Sequence, residues 1–198
     1  APLHHYLGAE SHLRDILAWF GAMTLPTNVY LSTADFIDGQ LTAAAAATLE
    51  RKQPSNPLAH DVRGAIQIAT NDPGNARASF EKALALQFNY LPAARNLARL
   101  DLAEGKPDAA RKRFELMLAK EPGNEGALLS LAQTLVLTGA PANETRAILE
   151  RAIRADPTSV QARVALIGFL AQSADPKAAL TAAQAASAAI PSDAAILD

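Results

Sequence analysis

Apolar positions along the chain recur three and four apart, the spacing that lines one face of a helix. From Leu91 to Ala103 the stripe is Ala94, Leu97, Ala98 and Leu102; from Asp108 to Lys120 it is Ala110, Phe114, Met117 and Leu118. Between them stands Glu104-Gly105-Lys106-Pro107, with glycine where a left-handed helix end is wanted. Glu121-Pro122-Gly123-Asn124 closes the second stretch, because proline cannot extend a helix. The pattern predicts helices over 91–103 and 107–120. Equivalent pairs are predicted at 27–37 and 40–52, 57–70 and 75–86, 125–138 and 142–155, and 159–172 and 177–190. Nearer the start, Leu13, Ile16, Leu17 and Phe20 make an amphipathic stripe, so residues 1–25 read as a separate helical segment, a partial repeat or a cap.

The landmarks move in step. Pro73, Pro107 and Pro141 stand 34 apart, as do Gly105 and Gly139, and Phe80, Phe114 and Ile148. Pro122, Pro157 and Pro191 follow at 35 and 34, with one residue inserted near Pro141–Glu144. Pro26 to Pro54 spans only 28, so the first unit is short. A helix–turn–helix of about 34 residues is the tetratricopeptide period. Leu97 and Ala98 fall where that consensus has Leu-Gly; Gly105 falls at its turn glycine; Ala110, Phe114 and Pro122 match its second-helix Ala, aromatic and closing Pro. Residues 26–191 resemble the tetratricopeptide family through many such positions. Arg63 departs from the usual Leu, and Met117 and Thr145 from the usual Ala.

Between Ala43 and Ala132 the phrasing is similar to the tetratricopeptide lipoproteins of the bacterial PEP-CTERM/exosortase system. It lies in Leu49-Glu50-Arg51-Lys52-Gln53-Pro54, Ala78-Ser79-Phe80-Glu81-Lys82-Ala83-Leu84 and Ala94-Arg95-Asn96-Leu97-Ala98-Arg99-Leu100-Asp101. The resemblance implies a right-handed all-α solenoid of about five helix–turn–helix units. It implies first helices on a concave wall, second helices on a convex one, and a protein partner in exopolysaccharide assembly or export. It also implies a lipid anchor in the bacterial cell envelope or periplasm. No cysteine is present to carry that lipid, as an internal fragment would show. Ser192-Asp193-Ala194-Ala195-Ile196-Leu197 reads as the start of another first helix, so the array is expected to continue, and an uncapped end to dimerise.

Composition agrees. Hydrophobic residues reach 49% and aromatics only 5%; much of the former is alanine, the best helix former. Against 18 Lys+Arg stand 20 Asp+Glu, a net −2 that gives no reason to expect nucleic acid. The absence of cysteine excludes a disulfide framework and a thiol nucleophile. No apolar run is long enough to cross a membrane. No nucleophile elbow, phosphate loop or dinucleotide fingerprint occurs, so no catalytic residue or cofactor is expected. His4, His5 and His12 lack the spacing of a metal site, and His60 is expected on the groove wall.

What remains is the concave wall. The family's groove-facing positions fall on Leu58, Asp61, Ala65, Ile68 and Ala69, then Pro92, Arg95, Arg99, Leu102 and Ala103. They continue as Gly126, Leu129, Gln133, Val136 and Leu137, then Gln161, Val164, Gly168, Ala171 and Gln172. From these the candidate ligand-binding set is Asp61, Arg95, Arg99, Leu102, Leu129, Gln133 and Val136. Arg95 and Arg99 lie one turn apart, able to reach one anion: a peptide carboxylate or an acidic polysaccharide. The competing reading pairs them with Asp61 or Asp101. Arg111, Lys112 and Arg113 are expected on a solvated convex surface.

Overall fold

The computed structural model describes residues 36–37, 40–41, 43–173 and 175–190. Among these, the chain forms α1 (Ala43–Lys52), α2 (Pro57–Ala69), α3 (Pro73–Leu86), α4 (Leu91–Ala103) and α5 (Pro107–Lys120). There follow α6 (Glu125–Leu137), α7 (Ala142–Ala155), α8 (Val160–Gln172) and α9 (Pro176–Ala189). Each helix packs on the next, and α2, α4, α6 and α8 also touch in succession. This is the expected all-α solenoid: first helices α2, α4, α6 and α8 alternate with second helices α3, α5, α7 and α9. The helix expected at 40–52 begins later, at Ala43. Ahead of it Phe36–Ile37 (β1) pairs antiparallel with Gln40–Leu41 (β2), where the sequence pattern puts the end of a helix at 27–37. The rest of that helix, the segment 1–25 and the helix start after Pro191 lie outside the described residues.

The turns show why the period is legible. Asn71, Gly105 and Gly139 have φ of 59°, 70° and 68°, each one residue beyond the end cap of a first helix. That left-handed residue lets the chain fold back on its own last turn. Asp72 N donates to Gln67 O, Lys106 N to Asp101 O and Ala140 N to Leu135 O, all at 2.9 Å or less. Proline then opens α3, α5 and α9 at the first turn, where its missing N–H costs nothing. The inserted residue is visible at Pro141, which precedes α7 instead of starting it. Asn56, Asn124 and Ser159 cap α2, α6 and α8 by accepting from Leu58, Ala127 and Ala162 N.

Core side chains come from the predicted stripes. Phe114, Met117, Leu118, Leu128, Leu131 and Leu135 share one cluster with Ala94, Ala98, Ala110, Ala152 and Ala162. Alanines let helix backbones approach, and the phenylalanines fill the gaps this leaves. Gly64 shows the limit, because a Cβ there would lie 2.5 Å from Cε1 of Phe80. The position beside it, Arg63, turns outward and donates to Glu50 Oε2 of α1 at 2.6 Å. An arginine in place of the usual leucine therefore ties two repeats together. Met117 enlarges the core where alanine is usual, at 3% exposed.

Candidate functional site

Three consecutive first helices, α4, α6 and α8, wall a cleft of about 500 Å³ on the concave side. Helical spacing sets what they present. On α6, Leu129, Gln133, Val136 and Leu137 recur along one face, while Leu128, Leu131 and Leu135 turn into the core. From α8 come Gln161, Gly168, Phe169 and Gln172, and from α4 Arg95. Thr145 and Leu149 of α7, both buried, reach the floor between α6 and α8.

Of the expected set, the structure brings Arg95, Leu129, Gln133 and Val136 to this cleft and leaves Asp61, Arg99 and Leu102 outside its lining. Val136 remains 45% exposed and Leu137 65%, whereas Leu129 is half-buried against the core below. Leu102 likewise packs on that core. Gly126, expected on the wall, is covered by Leu91: a Cβ there would collide with Leu91 Cδ2.

The acidic candidate is corrected. Asp61 is 4% exposed, its Oδ1 accepting from Asn96 Nδ2 across the α2–α4 seam at 3.1 Å. Burial pushes its carboxyl up from 3.8 to about 6, and the Asn96 bond offsets only part of that. Tyr90 stands close enough for the Asp61 charge to add to the burial that raises its own phenol. His60 is also removed from the groove: it is 1% exposed, with Nε2 3.0 Å from Pro54 O and Nδ1 3.4 Å from Glu50.

The two groove arginines do not pair with Asp61 or Asp101. Asp101, 1% exposed, is held by Arg77 of α3 at 2.8 Å and by Arg113 of α5. The basic run on α5 is thus no uniform solvated patch. Arg113 closes a buried ion pair, Arg111 bridges Glu115 and Glu144, and Lys112 stays exposed. Arg95 Nε donates to Ser130 Oγ at 2.8 Å, and that hydroxyl donates its own proton to Gly126 O at 2.7 Å. The partner is neutral. Protein packed around the guanidinium, then the Arg99 charge, lowers the Arg95 pKa, yet an arginine stays charged. Arg99 is exposed and has no ion pair or hydrogen bond among the described residues.

Sequence reasoning missed Ser130, Thr145 and Phe169. Ser130 stands 35 residues after Arg95, one position past the equivalent place on the next first helix, which is Leu129, so the period alone does not single it out. Thr145 stands out in the sequence only as a departure from alanine; its Oγ1 is buried without a hydrogen-bond partner among the described residues. Among the described residues no cluster of three His, Asp or Glu side chains could hold a metal ion, and no helix is long and apolar enough to cross a membrane. His4, His5 and His12 lie outside the described residues.

Residues 101–142 match the tetratricopeptide repeat family. No curated protein matches the sequence significantly. Among solved structures, the chain is similar to TTC0263, a thermophilic tetratricopeptide protein of Thermus thermophilus. The two are 16% identical over 78% of this chain and 84% of that one, with a TM-score of 0.59. It is similar to PilW, a type IV pilus biogenesis factor, at 18% identity over 78% and 71%, with a TM-score of 0.56. It is also similar to YrrB, a tetratricopeptide protein described as having an unusual peptide-binding site, at 17% identity over 78% and 79%, with a TM-score of 0.50. These likenesses carry the fold: the chain folds as an all-α solenoid of the tetratricopeptide type, and residues 101–142 match the family's sequence.

Proposed function

We propose that this chain is a non-catalytic scaffold whose concave cleft docks an extended segment of a protein partner. The observation that carries the reading is the cleft wall between α4, α6 and α8. Exposed Val136 and Leu137 alternate there with the carboxamides of Gln133, Gln161 and Gln172, none of which has a partner among the described residues. A carboxamide both donates and accepts, which matches a peptide group, and the aliphatic patches between them suit side chains. An acidic polysaccharide, the other ligand that Arg95 and Arg99 suggest, is less well served. Among the described residues Phe169 is the one aromatic ring in the lining, and it is half-buried. The peptide-binding site described for YrrB, alike in fold, supports the same reading.

Selection of random displayed dodecapeptides on the immobilised protein tests it. Enriched peptides are expected to lose binding to Val136→Asp in the cleft and to keep it for Leu116→Asp on the convex face. A failure to enrich any peptide, or binders sensitive only to Leu116→Asp, would overturn the proposal. For the setting we propose the bacterial cell envelope and exopolysaccharide assembly, on the likeness of residues 43–132 to the PEP-CTERM/exosortase lipoproteins. Recovery of the native protein with the cytoplasm after spheroplast fractionation would refute that setting.

A further inference from the structure

We propose that the segment docked in this cleft carries an acidic side chain at an internal position, received by Arg95 and Arg99, and is uncharged over the stretch that follows across α6 and α8. The inference rests on the peptide-docking reading and specifies what kind of peptide is read. Three observations meet in it. The cleft lining contains Arg95 and no carboxylate, so the cavity favours an anion and repels nothing but a cation. Arg99 has no partner among the described residues and is close enough to depress the Arg95 pKa, while the two acids that could have neutralised the pair, Asp61 and Asp101, are turned to Asn96 and to Arg77 with Arg113. Thr145 Oγ1, in a side chain 1% exposed, lines the same cleft with its hydrogen-bonding capacity unmet.

The internal position follows from where the arginines stand. Arg95 and Arg99 are on α4, the second of the four first helices described, and the wall continues past them onto α2. There Ile68 is 43% exposed and Ala65 is exposed, so a bound chain has a surface to run over on the far side of the two guanidinium groups. An anion fixed at α4 is then flanked on both sides. In the other direction neighbouring first helices, spaced about 9–10 Å, put α8 about 20 Å from α4. An extended chain at about 3.3 Å per residue crosses that span in about six residues. Over this stretch the lining offers the three carboxamides and aliphatic side chains, and no charge of either sign beyond Arg95.

The test uses a positional library of decapeptides blocked at both ends, acetylated and amidated, with one position fixed in turn as Asp, Glu, Ala or Lys. Asp or Glu is expected to be favoured over Ala about tenfold at one internal position, because a charge-assisted hydrogen bond to arginine is worth that order. Lys is expected to be disfavoured across the cleft. In Arg95→Gln/Arg99→Gln the preference for Asp and Glu should vanish while the selection at the other positions persists. Arg99 makes no contact that folding needs, so the single variant Arg99→Gln keeps the test meaningful if the double variant is destabilised. Blocked peptides that bind with no acidic preference would overturn this inference and leave peptide docking standing. So would an acidic preference that appears only when the same library is made with a free C-terminal carboxylate in place of the amide. A library that fails to bind at all would overturn both.

Discussion

Replacing Asp61 by Asn should stabilise the protein at neutral pH, and only there. Asp61 is 4% exposed, with the amide of Asn96 as its hydrogen-bond donor and no cation paired to it among the described residues. Its carboxyl titrates at about 6 in the fold against 3.8 in an unfolded chain. A folded-state value above the unfolded one means the stabilising contribution is complete below the unfolded value, near pH 3.8, and is lost as pH rises through about 6. Above about pH 7 the ionised form therefore carries a penalty whose ceiling, at about 1.4 kcal/mol per pH unit of separation, is about 3 kcal/mol. Asparagine keeps the shape and can accept from Asn96 through its own oxygen, without a charge to desolvate. Urea unfolding followed by far-UV circular dichroism at about pH 4 and about pH 7.5 measures the difference. Asp61→Asn is expected to match the parent at the lower pH and to exceed it by about 1–3 kcal/mol at the higher. Comparing the two proteins at each pH cancels Glu50, Asp72, Glu104 and Asp156, whose lowered values run in the opposite sense and cost stability as pH falls. A variant no more stable at the higher pH, or an Asp61 carboxyl carbon that titrates near 3.8 by NMR, would refute the reasoning.

Asp101→Ala leaves Arg77 and Arg113 facing an emptied buried site. It should cost about 3–5 kcal/mol, readable in the same urea transition, and high salt should not restore it as it would a surface pair. Gly64→Ala forces its Cβ against the ring of Phe80, which is itself 1% exposed and has little room to yield. A loss of about 1–3 kcal/mol is expected, and Gly64→Ala combined with Phe80→Leu should cost less than the sum of the two. Asn124→Ala removes the acceptor for Ala127 N and should lower stability by about 1 kcal/mol, whereas Asn124→Ser should nearly retain it.

The helices were legible in the sequence because their ends are written in residues with little choice. A left-handed residue after a first helix recurs every 34 positions and proline opens or directly precedes each later second helix, and from Pro57 onward the helix limits fall within a residue or two of expectation. The stretch before α1 fails where that punctuation fails. The unit from Pro26 is too short for the period, and its apolar residues near Phe36 and Leu41 suit a strand pair as well as a helix. Turn position 71 shows a milder form of the same thing: asparagine stands where glycine does at 105 and 139, and adopts the same conformation.

The site was half legible, and the reason is geometric. Period and phase say which positions face the concave side, and Arg95, Leu129, Gln133, Val136, Gln161 and Gln172 do line the cleft. They do not say which polar side chain is captured by the next repeat. Asp61 and Asn96 meet at an offset of 35, as do Arg95 and Ser130, and each bond pulls one nominal groove residue toward a seam. Asp101 is captured by arginines 24 residues before it and 12 after it, which no single-helix spacing reveals. The consequence bears on function. Each acid drawn into a seam is one that no longer neutralises the groove, so burial of Asp61 and Asp101 is what leaves Arg95 and Arg99 with their charge available. If the groove's selectivity is electrostatic, exposing an acid there should invert it. Gln133→Glu, in the same cleft lining as Arg95, should put an acid in the groove and weaken acidic peptides far more than neutral ones. Equal loss for both peptide classes would show that shape, and not charge, sets what the cleft accepts.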